Sequence, residues 1–250
     1  KTIIIENSQN YELKKNIEEN YKNISIYIRE NQGVSSSLNF AVEKINTKYF
    51  LQISPDIQFN FREIEIFLDY ANKLKDEFAA LGPRFVNVND RSHKQINYKK
   101  EFGKIDSIHG SCMFINKKNF EKIGKFDENF FLYFEETEYC YRAKKKNFYS
   151  YQINKLKVQS IGRSVDIQDQ SNQQFSNFLI WHFIWSKYYF TKKKYGKFFS
   201  IIIFIPLLLR INLKILYYTA LRNNDALRKY KFRLDGLLES IQGKKSYLRP

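Results

Sequence analysis

"SLNFAVEKINTKYFLQISPD", residues 37–56, changes period in its middle. The first half sets Leu38, Ala41, Val42 and Ile45 at i, i+3, i+4 and i+7, the spacing of one helix face, with Ser35 to Ser37 available as caps. The second half, Tyr49 to Ile53, is a short apolar run closed by Ser54-Pro55-Asp56, as a buried strand would be. Two further strand-like runs lie upstream, Thr2 to Ile5 and Ile24 to Ile28. Downstream, an amphipathic segment with Ile64, Phe67, Leu68, Ala71 and Leu74 leads into a strand at Phe78 to Gly82. Strands alternating with helices predict an α/β domain whose sheet is mainly parallel. Ligands of such sheets bind beyond the carboxyl ends of the strands, so Glu6-Asn7-Ser8, Asn31-Gln32-Gly33 and Ser54-Pro55-Asp56 are the segments to read for chemistry.

With 250 residues and 43% hydrophobic content the chain can bury a full core, as one α/β domain with an appendage. Cys112 and Cys140 form no CxxC and are too few for a disulfide framework, which fits a reducing compartment. Lys1 leads straight into an apolar run, so the reading expects the sequence to start within a domain. Pro83 to Lys104 is polar and without period and reads as an exposed loop; Ser111 to Ile115 resumes strand character, and Asn119 to Gly124 reads as a short helix or turn. GxGxxG and GxxxxGK[ST] are both absent, against a dinucleotide oxidoreductase and a P-loop NTPase. His93, His109 and His182 are too far apart in sequence to suggest a histidine metal site.

The net charge of +16 is uneven: Phe183 to Pro250 holds 15 Lys and Arg against 3 Asp and Glu. Against that background "FDENFFLYFEETEYCYR", residues 126–142, gathers five acids among four phenylalanines and three tyrosines. Two readings stand. A helix starting near Glu135 would carry Glu135 and Glu136 in its first turn, pair Glu138 with Arg142 at i+4 and end in Lys144 to Lys146, all of which stabilises a helix without further function. Alternatively, Phe130, Phe131, Tyr133 and Phe134 wall off a carboxylate, raise its pKa and fit it to take a proton near neutral pH.

In the order of these segments the chain resembles the bacterial family 2 glycosyltransferases of GT-A fold, in particular the rhamnosyltransferase-like enzymes of surface polysaccharide synthesis. That family carries a DN-S strand end, N-x-G-x(5)-N at a helix start, an NPD strand end, an FDE-x-FF-x-Y-x-ED-x-D-x-C-x-R block and a final H-x-x-G-x-S. The counterparts here are Glu6-Asn7-Ser8, Asn31-x-Gly33-x(5)-Asn39, Ser54-Pro55-Asp56, Phe126 to Arg142, and Gln159 to Ser164.

The resemblance implies a GT-A catalytic domain over residues 1–165, a basic, amphipathic helical extension over 166–250, and a further strand and helix ahead of Lys1. It also implies a task for each segment. Glu6, Asn7, Asn31, Gly33, Asn39 and Asp56 would line the donor, a UDP- or dTDP-sugar, and Asp56 with Gln159 would hold Mg²⁺ or Mn²⁺ at its diphosphate. Glu136 would be the base that deprotonates an acceptor hydroxyl for inverting attack. His109, Gly110 and Glu135 would face the acceptor, with Glu138 and Arg142 in support. The departures from the pattern are Glu6 and Glu136 where the family has Asp, Ser54 where it has Asn, and Gln159 where it has His. Glutamine offers a carbonyl oxygen to Mg²⁺ and is a weaker ligand than imidazole for Mn²⁺.

The expected activity is therefore sugar transfer to a hydroxyl of a growing, lipid-linked polysaccharide; the alternative is a noncatalytic relative that scaffolds a polysaccharide assembly complex. "FFSIIIFIPLLL", residues 198–209, is shorter than the ~20 residues of a spanning helix and is flanked by lysines, so it reads as an interfacial segment on an anionic membrane, at the inner face of the bacterial cytoplasmic membrane. A helical subdomain burying the run is the competing reading. Nucleic acid is disfavoured as a partner, because the basic residues are interrupted by long aliphatic runs and no RNA or DNA motif is present.

Overall fold

A computed structural model of the chain describes residues 1–86, 100–161 and 169–249. His93, most of the expected Pro83–Lys104 loop and Gly162 to Ser164 fall outside the described residues. The chain forms two compact units: Lys1–Glu128 with Glu135–Ser164, and Asn129–Phe134 with Val165–Pro250.

The first unit runs β1 (Thr2–Glu6), α1 (Tyr11–Asn20), β2 (Ile24–Ile28), α2 (Val34–Glu43), β3 (Tyr49–Ile53), β4 (Ile57–Gln58), a 3₁₀ turn (Phe61–Glu63), α3 (Ile64–Lys73), β5 (Leu81–Phe85), β6 (Phe102–Ile105), β7 (Cys112–Asn116), α4 (Lys117–Ile123), α5 (Glu135–Lys145) and β8 (Ser150–Ser160). The alternation expected from the period change at residues 37–56 is present, and the unit is an α/β fold with a central sheet flanked by helices. Its strand directions correct the expected parallel predominance. β1 pairs with β2 in one small parallel sheet; the larger sheet runs β3-β7-β5-β8-β4 with β6 also on β8, and among the described residues only β5–β8 is parallel there. The physical reason lies in β8, an eleven-residue strand that the sequence reading left unassigned. Its length lets β4, β5 and β6 share one partner, and β4 and β6 meet it antiparallel.

Boundaries moved as well. The strand expected at Phe78 to Gly82 is β5, Leu81–Phe85, and Phe102–Ile105 is β6, so both ends of the expected loop are strands. Each pairs with β8 through backbone hydrogen bonds that no side-chain period announces. Ser35 to Ser37 lie inside α2, whose N-cap is Gly33 at φ 97°, a left-handed conformation that suits glycine. β7 is buried along its whole length between β3 and β5. One core cluster joins Val42, Met113, Ile115, Phe120, Phe126, Tyr139 and Cys140, and a second joins Phe67, Tyr70, Phe78, Leu81, Phe114, Ile153 and Val158. Both cysteines are buried free thiols, and desolvation pushes Cys112 up to about 12 and Cys140 up to about 11.

The second unit is built on α6 (Asp169–Tyr195), α7 (Lys197–Ala220) and α8 (Asn224–Gln242) around Ile184, Tyr188, Phe204, Ile211 and Leu237. Gly236 allows α6 and α8 to approach: a Cβ there would stand 2.7 Å from the Trp181 carbonyl oxygen. Trp181 and Trp185 are core residues, 0% and 2% exposed. The Trp181 indole donates to Asp235 Oδ2 at 2.7 Å. Asn129–Phe134 is held by α6: Phe130 packs on Tyr189, Phe131 on His182, Tyr133 and Phe134 on Phe183, and Ser186 Oγ donates to the Leu132 carbonyl at 2.8 Å. The four rings expected to wall a carboxylate thus have their ring partners on α6.

Candidate functional site

α5 starts at Glu135 and buries the acids of its own first turn: Glu135 and Glu136 are each 8% exposed and Glu138 1%. Just before it, Tyr133 and Phe134 hold φ of 68° and 69°. Bulky residues in the left-handed region cost on the order of 1–3 kcal/mol each and persist only where the surroundings dictate them. Here the ring contacts with α6 supply that constraint.

The three acids are handled differently. Glu138 receives two bonds from Arg142 Nε, at 2.9 and 2.8 Å, and the rest of the guanidinium donates to the carbonyls of Ile123, Gly124 and Lys125. That ion pair ties α5 to the turn after α4. Glu135 is pushed well above the ordinary 4.5, first by desolvation and then by the neighbouring Glu136 charge, and its Oε2 is buried without a hydrogen-bond partner. Glu136 Oε1 accepts from Thr137 Oγ1 at 3.3 Å, and Thr137 Oγ1 lies 3.1 Å from Ser107 Oγ. Opposite stands Gly110, where an added Cβ would be 3.5 Å from Glu136 Cγ, Cδ and Oε2. His109 stacks on Phe85 at 4.4 Å, and its Nδ1 accepts from the Ser111 amide at 3.3 Å. Glu136 and the residues expected on the acceptor side therefore form one locus.

The strand ends are held by contacts of their own. After β1, Glu6 accepts from the amide and hydroxyl of Ser8, and Asn7 Nδ2 donates to Ser37 Oγ at 3.0 Å. After β2, Asn31 Oδ1 accepts from the Gly33 amide at 3.2 Å and shapes the start of α2. Asn39 is a correction to the expected donor contacts. It is 3% exposed, its Nδ2 donates to Phe126 O and Glu128 Oε1, and its Oδ1 accepts from the Phe126 amide, so its amide is spent holding α2 to the chain near Phe126.

Asp56 follows β3, and Ser160 Oγ donates to its Oδ2 at 2.8 Å. Gln159, expected to share a metal with Asp56, precedes Ser160 on β8, and adjacent strand side chains face opposite sides. It is exposed and lines a cleft of about 900 Å³ with Arg62, Lys157, Phe59 and Val86. The register thus brings Ser160 to Asp56 and sends Gln159 to the cleft. Ser160 was missed because its role follows from strand alternation, and β8 was not assigned. Among the described residues no three His, Cys, Asp or Glu side chains group to hold a metal. One carboxylate beside a hydroxyl is nevertheless a hard-oxygen donor set that suits Mg²⁺ when a diphosphate completes the shell.

The glycosyl transferase family 2 model matches residues 2–124, which includes the strand ends at Glu6, Asn31 and Asp56 and ends before α5. The low-salt glycan biosynthesis hexosyltransferase Agl10 of Haloferax volcanii is 28% identical over 133 residues, 46% of this chain and 43% of that protein. The chain spans less than half the length of the curated relatives it matches. Among solved structures, the mannosyltransferase PcManGT of Pyrobaculum calidifontis, in complex with GDP-Man and Mn²⁺, aligns with a TM-score of 0.55 at 10% identity over 97% of this chain and 78% of that one. S. aureus TarS in complex with UDP-GlcNAc aligns with a TM-score of 0.51 at 11% identity over 99% and 83%. At such identities these two likenesses speak for the fold alone. By sequence, residues 2–124 match glycosyl transferase family 2, and the architecture is a GT-A fold.

Proposed function

We propose that this protein transfers a sugar from a nucleotide-diphosphate donor, a UDP- or dTDP-hexose or -rhamnose, to a hydroxyl of a lipid-linked glycan, with inversion at the anomeric carbon. The observation that carries the reading is the Glu135–Glu136 pair, buried at the start of α5 opposite Gly110, with Glu135 raised toward its protonated form. Burial and the Glu136 charge favour the protonated form of Glu135, which lessens the like charge beside Glu136.

In this mechanism Glu136 takes the proton of the acceptor hydroxyl. The oxygen then forms its bond to the anomeric carbon as the bond from that carbon to the diphosphate breaks on the opposite face. Gly110, without a side chain, leaves room for the acceptor next to Glu136. Glu6, Asn7, Asn31 and Gly33 border the nucleoside side, and Asp56, oriented by Ser160, faces the diphosphate. A divalent cation held by Asp56 would supply charge neutralisation for the departing diphosphate. The relatives support a nucleotide-sugar donor: Agl10 is a hexosyltransferase, and the two solved neighbours carry GDP-Man and UDP-GlcNAc.

The test is Glu136→Gln in the full chain. It should lower kcat roughly 10²–10⁴-fold, the usual contribution of a general base, while thermal stability and calorimetric nucleotide affinity, with and without Mg²⁺ or Mn²⁺, stay at parent values. A near-parent rate would remove Glu136 from the role. Absence of nucleotide binding in the parent protein would favour the scaffolding alternative.

A further inference from the structure

α7 faces two ways. Ser200, Phe204, Leu207, Leu208, Ile211 and Ile215 turn inward, three of them buried, toward a core shared with α6 and α8. The opposite stripe, Phe198, Ile202, Ile205, Leu209, Leu213 and Leu216, follows the same helical period and is exposed along its length, from 45% at Ile205 to 71% at Phe198. The apolar run read from sequence stops at Leu209, but the helix continues through Pro206 to Ala220. That makes 24 residues, long and apolar enough by length and composition to cross a membrane, a correction to the expectation drawn from the run alone.

Two observations say what covers the stripe. The first is charge: from Gln170 to Asn224 there is no Asp or Glu, while Lys187, Lys192 to Lys194, Lys197, Arg210, Lys214 and Arg222 are all cationic. A protein partner could carry either sign, whereas an anionic lipid surface presents one sign of charge above hydrocarbon, and this segment complements both. The second is α8. It packs along the inner side of α7 and exposes Asp225, Arg228, Lys229, Lys231 and Asp235. If α7 crossed the bilayer, α8 would take those charges into hydrocarbon, which is costly.

We propose that α7 lies in the plane of an anionic lipid leaflet, with the Phe198–Leu216 stripe inserted at the boundary between headgroups and acyl chains. This rests on the second unit alone and stands or falls separately from the sugar-transfer reading.

The experiment is flotation of the full chain with vesicles of phosphatidylcholine, alone or with phosphatidylglycerol, beside the double variant Ile205→Glu/Leu209→Glu. The parent should float with the anionic vesicles, at least tenfold less with the neutral ones, and the variant should lose flotation at least tenfold while keeping its thermal transition. A Leu209→Trp variant locates the depth: bromines near the headgroup should quench its added fluorescence more than bromines at the chain ends, with buried Trp181 and Trp185 as internal references. Failure of the parent to float, flotation indifferent to the glutamates, or strongest quenching at the bilayer centre would each overturn the proposal. A dimer in size-exclusion chromatography that the glutamates dissociate, without vesicle binding, would assign the stripe to a second copy of this chain.

Discussion

α5 and α7 invert the ordinary rule of helix burial in opposite senses. α5 buries three glutamates in its first turn, whereas α7 leaves a whole apolar stripe outside. Burying a carboxylate costs free energy unless it is paired or protonated, and exposing aliphatic surface forgoes the main driving force of folding. Glu138 is matched within the fold by Arg142; under the two proposals the rest is completed from outside it, by a proton and a substrate hydroxyl at Glu135 and Glu136 and by a lipid leaflet at α7. The inward side of each helix follows the rule, Tyr139, Cys140 and Ala143 on α5, Phe204 and Ile211 on α7.

The comparison can be broken from either side. The largest effect belongs to Glu136→Gln; its counterpart Glu135→Gln imitates the protonated state and should cost less than about tenfold in kcat, well under the 10²–10⁴-fold general-base range. Equal losses from the two variants in steady-state kinetics would erase the division of labour between them. Arg142→Met should destabilise the first unit by about 3–5 kcal/mol in denaturant titration, because it removes the guanidinium from the buried Glu138 carboxylate and from three backbone carbonyls. On α7, Ile211→Ala should cost about 2–5 kcal/mol as a core truncation, while Leu209→Ala on the outer stripe should stay within about 0.5 kcal/mol in the absence of lipid.

The smallest effect is in pH, where the two units have opposite signs. His182 is fully buried, and desolvation lowers it from the ordinary 6.5 to about 4. The folded state therefore prefers the neutral ring, and the stability this contributes is complete above 6.5 and is lost as pH falls through about 4. Its Nδ1 meets Ser246 Oγ and its Nε2 the Leu248 carbonyl, both at 2.9 Å, so protonation should loosen the C-terminal segment. Glu135 acts the other way: its folded state prefers the proton, and its contribution is lost as pH rises above 4.5. Thermal unfolding of His182→Gln should lose the parent's steeper decline between pH 6.5 and 4, and Glu135→Gln should lose a decline on the alkaline side.

Much of the fold was legible because it rests on local period and on short polar strand ends. The alternation of β1–β2–β3 with helices, and the order of Glu6, Gly33, Asp56 and the block at 126–142, need no tertiary information. What stayed hidden was set by partners distant in sequence. β8 alternates Lys155 and Lys157 with Leu156 and Val158 over too few residues to announce its length, and it is fixed by β4, β5 and β6. Asn39 carries the same side chain whether it meets a ligand or Phe126, 87 residues away. The acids of α5 were visible; that Arg142 is spent on Glu138 and three carbonyls was visible only in the i+4 spacing, and only for the first of those partners.

The six residues Asn129–Phe134 belong to a unit whose helices are translated afterwards. Phe131 reaches its stacking partner His182 only once 51 more residues have been made, a wait of roughly 3–10 s at ordinary elongation rates. Throughout that interval the phenylalanine and tyrosine cluster ahead of α5 lacks its ring partners on α6, Phe183 beside Tyr133 and Phe134 among them. The order of synthesis therefore makes Asn129–Phe134 wait for α6, while the residues of α5 that follow it are already made and have their core partners, Met113 and Phe120 among them, upstream in the chain.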